Sequence, residues 1–162
     1  MIIDKNSNDT KMSLEQKVAE GIKKAMLGRD EKTLRGLRAI KSAILSEKTS
    51  AGFSGNITEA DEVKMLQKLV KQRKDSLDIY EKQGRQDLAS KEKEEIEVIE
   101  QFLPKQLSED EIRAAVSGII EKSGATTMSD MGKVMAAANK ELAGKAEGKI
   151  IASVVKELLS SK

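Results

Sequence analysis

Apolar residues recur every three or four positions across residues 14–159, and a single proline, Pro104, interrupts them. That rhythm marks one face of an α-helix, whereas a half-buried strand alternates in and out. Composition closes the other route. With two Phe, one Tyr and no Trp, and with charged residues at 35%, the chain lacks the aromatic cross-strand pairs that hold sheets together. Leu, Ile, Val, Met and Ala must build the core, and the expected fold is all-α with about seven helices.

Helix boundaries follow from caps and breakers. Ser13 and Gln16 form a capping-box pattern ahead of the stripe Leu14, Val18, Ile22, Ala25 and Met26, and Gly28 is placed to stop that helix. Asp30 can cap a second helix burying Leu34, Leu37, Ile40 and Ile44. Residues 49–57 (TSAGFSGNI) read as a loop. Thr58 and Asp61 open a long third helix with the stripe Val63, Leu66, Val70, Leu77 and Tyr80, closed by Gly84. A fourth, over about 86–102, ends before Pro104, since the residue preceding proline is pushed out of the α region.

Beyond Pro104, Ser108 and Glu111 suggest another capping box, and Gly124 a stop. Thr127 and Asp130 begin a short helix bearing Met128, Met131, Val134, Met135 and Ala138, and after a turn at Gly144 the last helix carries Ile150, Ile151, Val154, Val155, Leu158 and Leu159. The expected organisation is an extension over 1–12, an N-terminal subdomain of antiparallel helices over 13–103, and a small three-helix subdomain over 104–162. Residues 1–11 are polar and unpatterned, and Met12 after them is a possible alternative start.

Net charge is only +2, but its distribution is uneven: residues 1–57 balance at +4, 58–123 at −4 and 124–162 at +2. Basic ends around an acidic middle can orient an anionic partner, although charge runs also belong to any solvated face. The chain has neither cysteine nor histidine, which excludes thiol chemistry, Cys/His zinc sites and imidazole catalysis. It holds no apolar run of membrane-spanning length, and the first residues have no signal-peptide core, so a cytoplasmic location is expected. No carboxylate pair, nucleophile–base pair or phosphate loop after a strand stands out, and no cofactor or metal is implied.

The stretch 131–148, MGKVMAAANKELAGKAEG, carries two glycine–lysine steps around small residues. At about 100° per residue, Lys133 and Lys140 share the face opposite Met131, Val134 and Ala138. Lys149 and Lys156 repeat that relation on the last helix, and Gly144-Lys145 lies in the turn between. These six residues form a candidate phosphate-tracking surface. Arg73 falls within an apolar stripe and needs a carboxylate partner, with Glu94, Glu95 or Asp75 in reach. Its truncation to alanine is expected to cost about 3–5 kcal/mol. Arg38 and Lys41 can snorkel from the second helix. Met128, Met131 and Met135 fit a core stripe better than an adaptable groove.

Four segments in order, KQRKDS, FLPKQLSEDEI, DMGKVM and GKAEG, resemble the free-standing bacterial YqeY-like proteins of the GatB/YqeY domain family, over roughly 13–159. The last two also resemble the C-terminal tail domain of the B subunit of tRNA-dependent amidotransferases. Glu147 departs from the Asp or Asn more usual there, and Arg38 and Lys41 match the family's second-helix pattern. The resemblance implies association with tRNA, or with a protein of tRNA-dependent amidation, and a family label of carbon–nitrogen ligase activity with glutamine as amido donor. That chemistry resides in parts of the multidomain relatives absent from this sequence. A protein–protein adaptor that never touches RNA and a genuine amidase or amidotransferase component stay open as rival classes.

Overall fold

The computed structural model describes residues 12–161. Among them are seven α-helices and no strand: α1 Leu14–Leu27, α2 Glu31–Lys48, α3 Glu59–Lys82, α4 Gln86–Glu100, α5 Glu109–Ser123, α6 Met131–Glu141 and α7 Gly148–Ser160. The fold is all-α, as the periodicity implies. Packing divides the chain into two compact units that part between Phe102 and Leu103. Of the expected extension over 1–12, only Met12 lies within the described residues.

In the first unit, side-chain caps fix the starts of α1, α2 and α3. The Ser13 hydroxyl accepts from the Gln16 N–H while the Gln16 side chain accepts from Ser13, and Thr58 and Asp61 repeat this reciprocal arrangement. Asp30 caps α2 by accepting from the Thr33 N–H at 3.1 Å. Gly28 ends α1 as its C-cap, as expected. It stays right-handed at φ −80°, and Arg29 takes the positive φ of 53° instead. Met26, placed on the buried stripe from sequence, is 58% exposed, because it sits at the edge of that face in the last turn.

Gly36 lets α2 and α4 approach closely: a Cβ there would lie 2.5 Å from the Val98 Cβ. Leu37, Ile40, Leu66, Val70, Ala89 and Ile99 are buried in this unit. α3 and α4 run antiparallel about the Gly84 turn, tied by Glu81–Lys93 at 3.1 Å and Arg73–Glu95 at 2.8 Å. Arg73 is thus paired with one of its expected carboxylates, with both side chains 19% exposed. On α3 only Leu66 and Val70 are buried, while Val63, Leu77 and Tyr80 are half-covered. α4 stops at Glu100, ahead of Pro104, with a tight turn over 101–102.

In the second unit, α5, α6 and α7 surround a core of Ile112, Val116, Ile120, Val134, Val154 and Val155, with others beside them. Ser108 caps α5 by accepting from the Glu111 N–H, but the reciprocal bond of a capping box is absent. Gly124 ends α5 in the left-handed region at φ 69°. The Asp130 carboxylate accepts from the N–H groups of Thr126 and Thr127, closing a 3-10 turn over Met128–Asp130, so α6 begins only at Met131. Met128 therefore leaves the α period and is 41% exposed, which corrects its assignment to the core, whereas Met131 and Met135 do pack there. Ile150 is likewise exposed, at the edge of the α7 face that buries Ile151, Val154, Val155 and Leu159.

Candidate nucleic-acid interface

The α6–α7 connection is held rather than loose. Gly144 adopts φ 76°, a conformation that a side chain with a Cβ takes only at a cost. Its carbonyl accepts a 2.7 Å bond from the Gln106 side chain, which also donates to the Pro104 carbonyl at 2.8 Å. The next residue is pinned on both sides: the Lys145 N–H donates to Leu142, and its carbonyl accepts from the Leu107 N–H at 2.9 Å. Two chain segments thus fix the backbone of the turn and leave the Lys145 side chain exposed. Although Gln106 lies in the FLPKQLSEDEI segment, apolar periodicity carries no sign of this clamp, because its partners are backbone groups.

Lys133 and Lys140 lie on the solvent side of α6, opposite the buried Val134 and Ala138. Lys149 and Lys156 do the same on α7. The Lys133 ammonium donates to the Ser123 carbonyl at 3.4 Å, capping the end of α5, where cations meet the negative end of the helix dipole. Lys140, Lys145, Lys149 and Lys156 have no carboxylate partner among the described residues.

Two acids of this unit, Glu157 and Asp130, are occupied elsewhere, whereas the side chains of Glu141 and Glu147 make no bond among the described residues. Glu157, next to Lys156 in sequence, makes two bonds of 2.9 and 2.8 Å with Arg113, which also holds Glu109. Those bonds keep the Glu157 carboxyl below its ordinary value. Asp130 is also held low, chiefly by the N–H groups of Thr126 and Thr127 and then by the charge of Lys133. The arrangement offers exposed ammonium groups around a rigid turn. Exposed ammonium groups of this kind can contact phosphate oxygens.

A family model described as Yqey-like protein matches residues 15–159. Among curated proteins, the chain is similar to altered inheritance of mitochondria protein 41, mitochondrial, from three yeasts. It is 30% identical to that of Vanderwaltozyma polyspora over 120 residues, covering 68% of this chain and 62% of the relative. Identity is 34% to the Lachancea thermotolerans protein, covering 61% and 54%, and 35% to the Clavispora lusitaniae protein, covering 51% and 46%. The matched region thus spans about half to three-fifths of these relatives. No helix among the described residues is long and apolar enough to cross a membrane.

Proposed function

The chain belongs to the Yqey-like protein family, and from that premise we propose that its C-terminal unit binds structured RNA, most naturally tRNA, as an accessory module. One observation carries the reading: Lys140, Lys145, Lys149 and Lys156 are exposed and unpaired around a turn whose backbone is fixed by Gln106 and Leu107. Positioned ammonium groups not neutralised within the fold are available to phosphates, and binding releases the counterions that phosphates hold. Lys133 joins the surface with part of its bonding already used at the end of α5. Resemblance to the amidotransferase tail supplies the choice of tRNA. Any ligase activity with glutamine as donor belongs, on this reading, to a partner protein of tRNA-dependent amidation.

Residues 103–162 contain no aromatic side chain to stack on a base. Recognition therefore rests on charge and shape, and affinity is modest and salt-sensitive. The test titrates tRNA against the parent and a variant with alanine at Lys133, Lys140, Lys145, Lys149 and Lys156, at low and moderate salt. The parent should bind more tightly at low salt, and each lost phosphate contact should flatten the log–log slope by about 0.7–0.9. Gly144→Val should weaken binding and leave the helices of the first unit folded. Equal affinity for parent and lysine variant rejects this surface, and no binding by either moves the function to a protein adaptor. A cytoplasmic site of action is part of the proposal. The relatives' names place those proteins in mitochondria, and recovery of this chain in an organelle fraction replaces it.

A further inference from the structure

Between α2 and α3 the first unit leaves an open groove of about 770 Å³. Its floor is apolar, made by Ala39, Ala43, Met65 and Leu69, and its rim is charged. The two walls run in opposite directions. Ile44 and Lys48 of α2 meet Glu62 and Met65 of α3 around a small cavity beside the connecting loop. At the other end, Arg35 of α2 and Arg73 of α3 reach consecutive glutamates of α4, Glu94 and Glu95.

This register sorts the rim by charge. Glu47 and Asp61 stand at the loop end, Lys64 follows, and Arg38, Lys68 and Arg73 stand at the far end. Arg73 is committed to Glu95, and Asp61, bonded to Thr58, is also stabilised as a carboxylate by the charge of Lys64. Arg38 and Lys68 are exposed and have no carboxylate partner among the described residues. The groove therefore ends in uncompensated positive charge and begins in negative charge.

We propose that this groove docks an amphipathic helix of a partner protein, with small apolar anchors on the floor and carboxylates near its C-terminal end against Arg38 and Lys68. The lined stretches, 38–47 on α2 and 61–73 on α3, extend about 14–18 Å at 1.5 Å per residue, enough for about three turns. Charge fixes the direction. The positive N-terminus of the docked helix lies by Glu47 and Asp61 and its negative C-terminus by Arg38 and Lys68, so it runs parallel to α3. A nucleic-acid backbone suits the groove less well, because phosphates gain nothing from Met65 and Leu69 and are repelled by Glu47 and Asp61. The inference is independent of RNA binding by the second unit.

The test uses the full chain with photoreactive p-benzoylphenylalanine at Ser46, by the loop end, or at Gln72, by the far end, irradiated in its native cells. Both positions should capture one acidic amphipathic segment, with Ser46 joined to its N-terminal and Gln72 to its C-terminal residues. A labelled synthetic peptide of that segment should bind the parent and lose about tenfold or more in affinity to a folded Arg38→Glu/Lys68→Glu variant. Reversing the peptide's facing carboxylates to lysine should restore binding to that variant. Four results overturn the proposal: capture of RNA or of a second copy of this chain, no capture at either position, capture in the opposite direction, or equal peptide affinity for parent and variant.

Discussion

Arg73 shows how burial sets the worth of a single charge. Its Nε donates to Glu95 at 2.8 Å, and 19% of each side chain still meets solvent. An exposed pair contributes up to about 1 kcal/mol, and breaking a fully enclosed one costs about 3–5. Arg73→Ala should accordingly lower stability by about 2 kcal/mol, less than a fully buried charge implies. Coincident denaturant midpoints for parent and variant would place Arg73 in solvent. Beside the pair, the Glu92 carboxyl is raised above 4.5, first by burial and then by the charge of Glu95, with Arg73 opposing. A raised acid contributes stability below its unfolded value and loses it as pH rises through the folded one. The capping carboxylates have the opposite sign. Asp30 and Asp61 are held below 3.8, chiefly by the hydroxyls of Thr33 and Thr58. Their contribution is present above that value and lost as pH falls through the depressed one. An Asp30→Asn/Asp61→Asn variant keeps an acceptor without the titration, so it should lose less stability than the parent on acidification below about pH 4. Parallel acid unfolding curves would show that these caps do not titrate with folding.

At the scale of helices, the decisive contact is the crossing of α2 and α4. Helix propensity alone favours Gly36→Ala by about 1 kcal/mol. The new Cβ would fall 2.5 Å from the Val98 Cβ and 2.6 Å from its Cγ1, atoms too close to the backbone to swing aside. Overpacking of this kind costs about 1–3 kcal/mol, so the substitution should be net destabilising. Pairing it with Val98→Ala should recover part of the loss, a non-additivity that a double-mutant cycle measures. A stabilised Gly36→Ala protein would mean that the helices separate at no cost. Sequence carried the helices themselves, because caps such as Ser13, Thr58 and Asp30 bond within one turn and need no tertiary partner. It did not carry Gly36, whose role depends on a residue 62 positions away. Nor did it carry the α2–α3 groove. Stripes record which faces are apolar but not how closely two faces meet, and small residues such as Ala39 and Ala43 suit a packed seam and an open floor alike. The lysines of the candidate interface were legible as a polar face, whereas the Gln106 clamp that fixes their turn was not.

Across the whole molecule, each compact unit supplies its own core. In the second, α5, α6 and α7 enclose Ile112, Val116, Val134, Val154, Val155 and Leu159, all within residues 103–162. Arg113 clips α5 to α7 through Glu157, and Gln106 and Leu107 hold the α6–α7 turn. Domains of about 60 residues sit near the lower limit of independent stability, since they bury only about 60% of the surface that their unfolded chains expose. Every tie named above nevertheless joins two groups inside the unit. A fragment spanning 103–162 should therefore fold alone, with helical circular dichroism and a cooperative thermal transition, at lower stability than most larger domains. Val154→Ala removes two buried methyl groups at the centre of this core and leaves a cavity, so it should cost the fragment about 1–3 kcal/mol and shift its midpoint by several degrees. A fragment whose helicity fades gradually on heating, unaffected by Val154→Ala, would show that the core of the second unit does not hold without the rest of the chain.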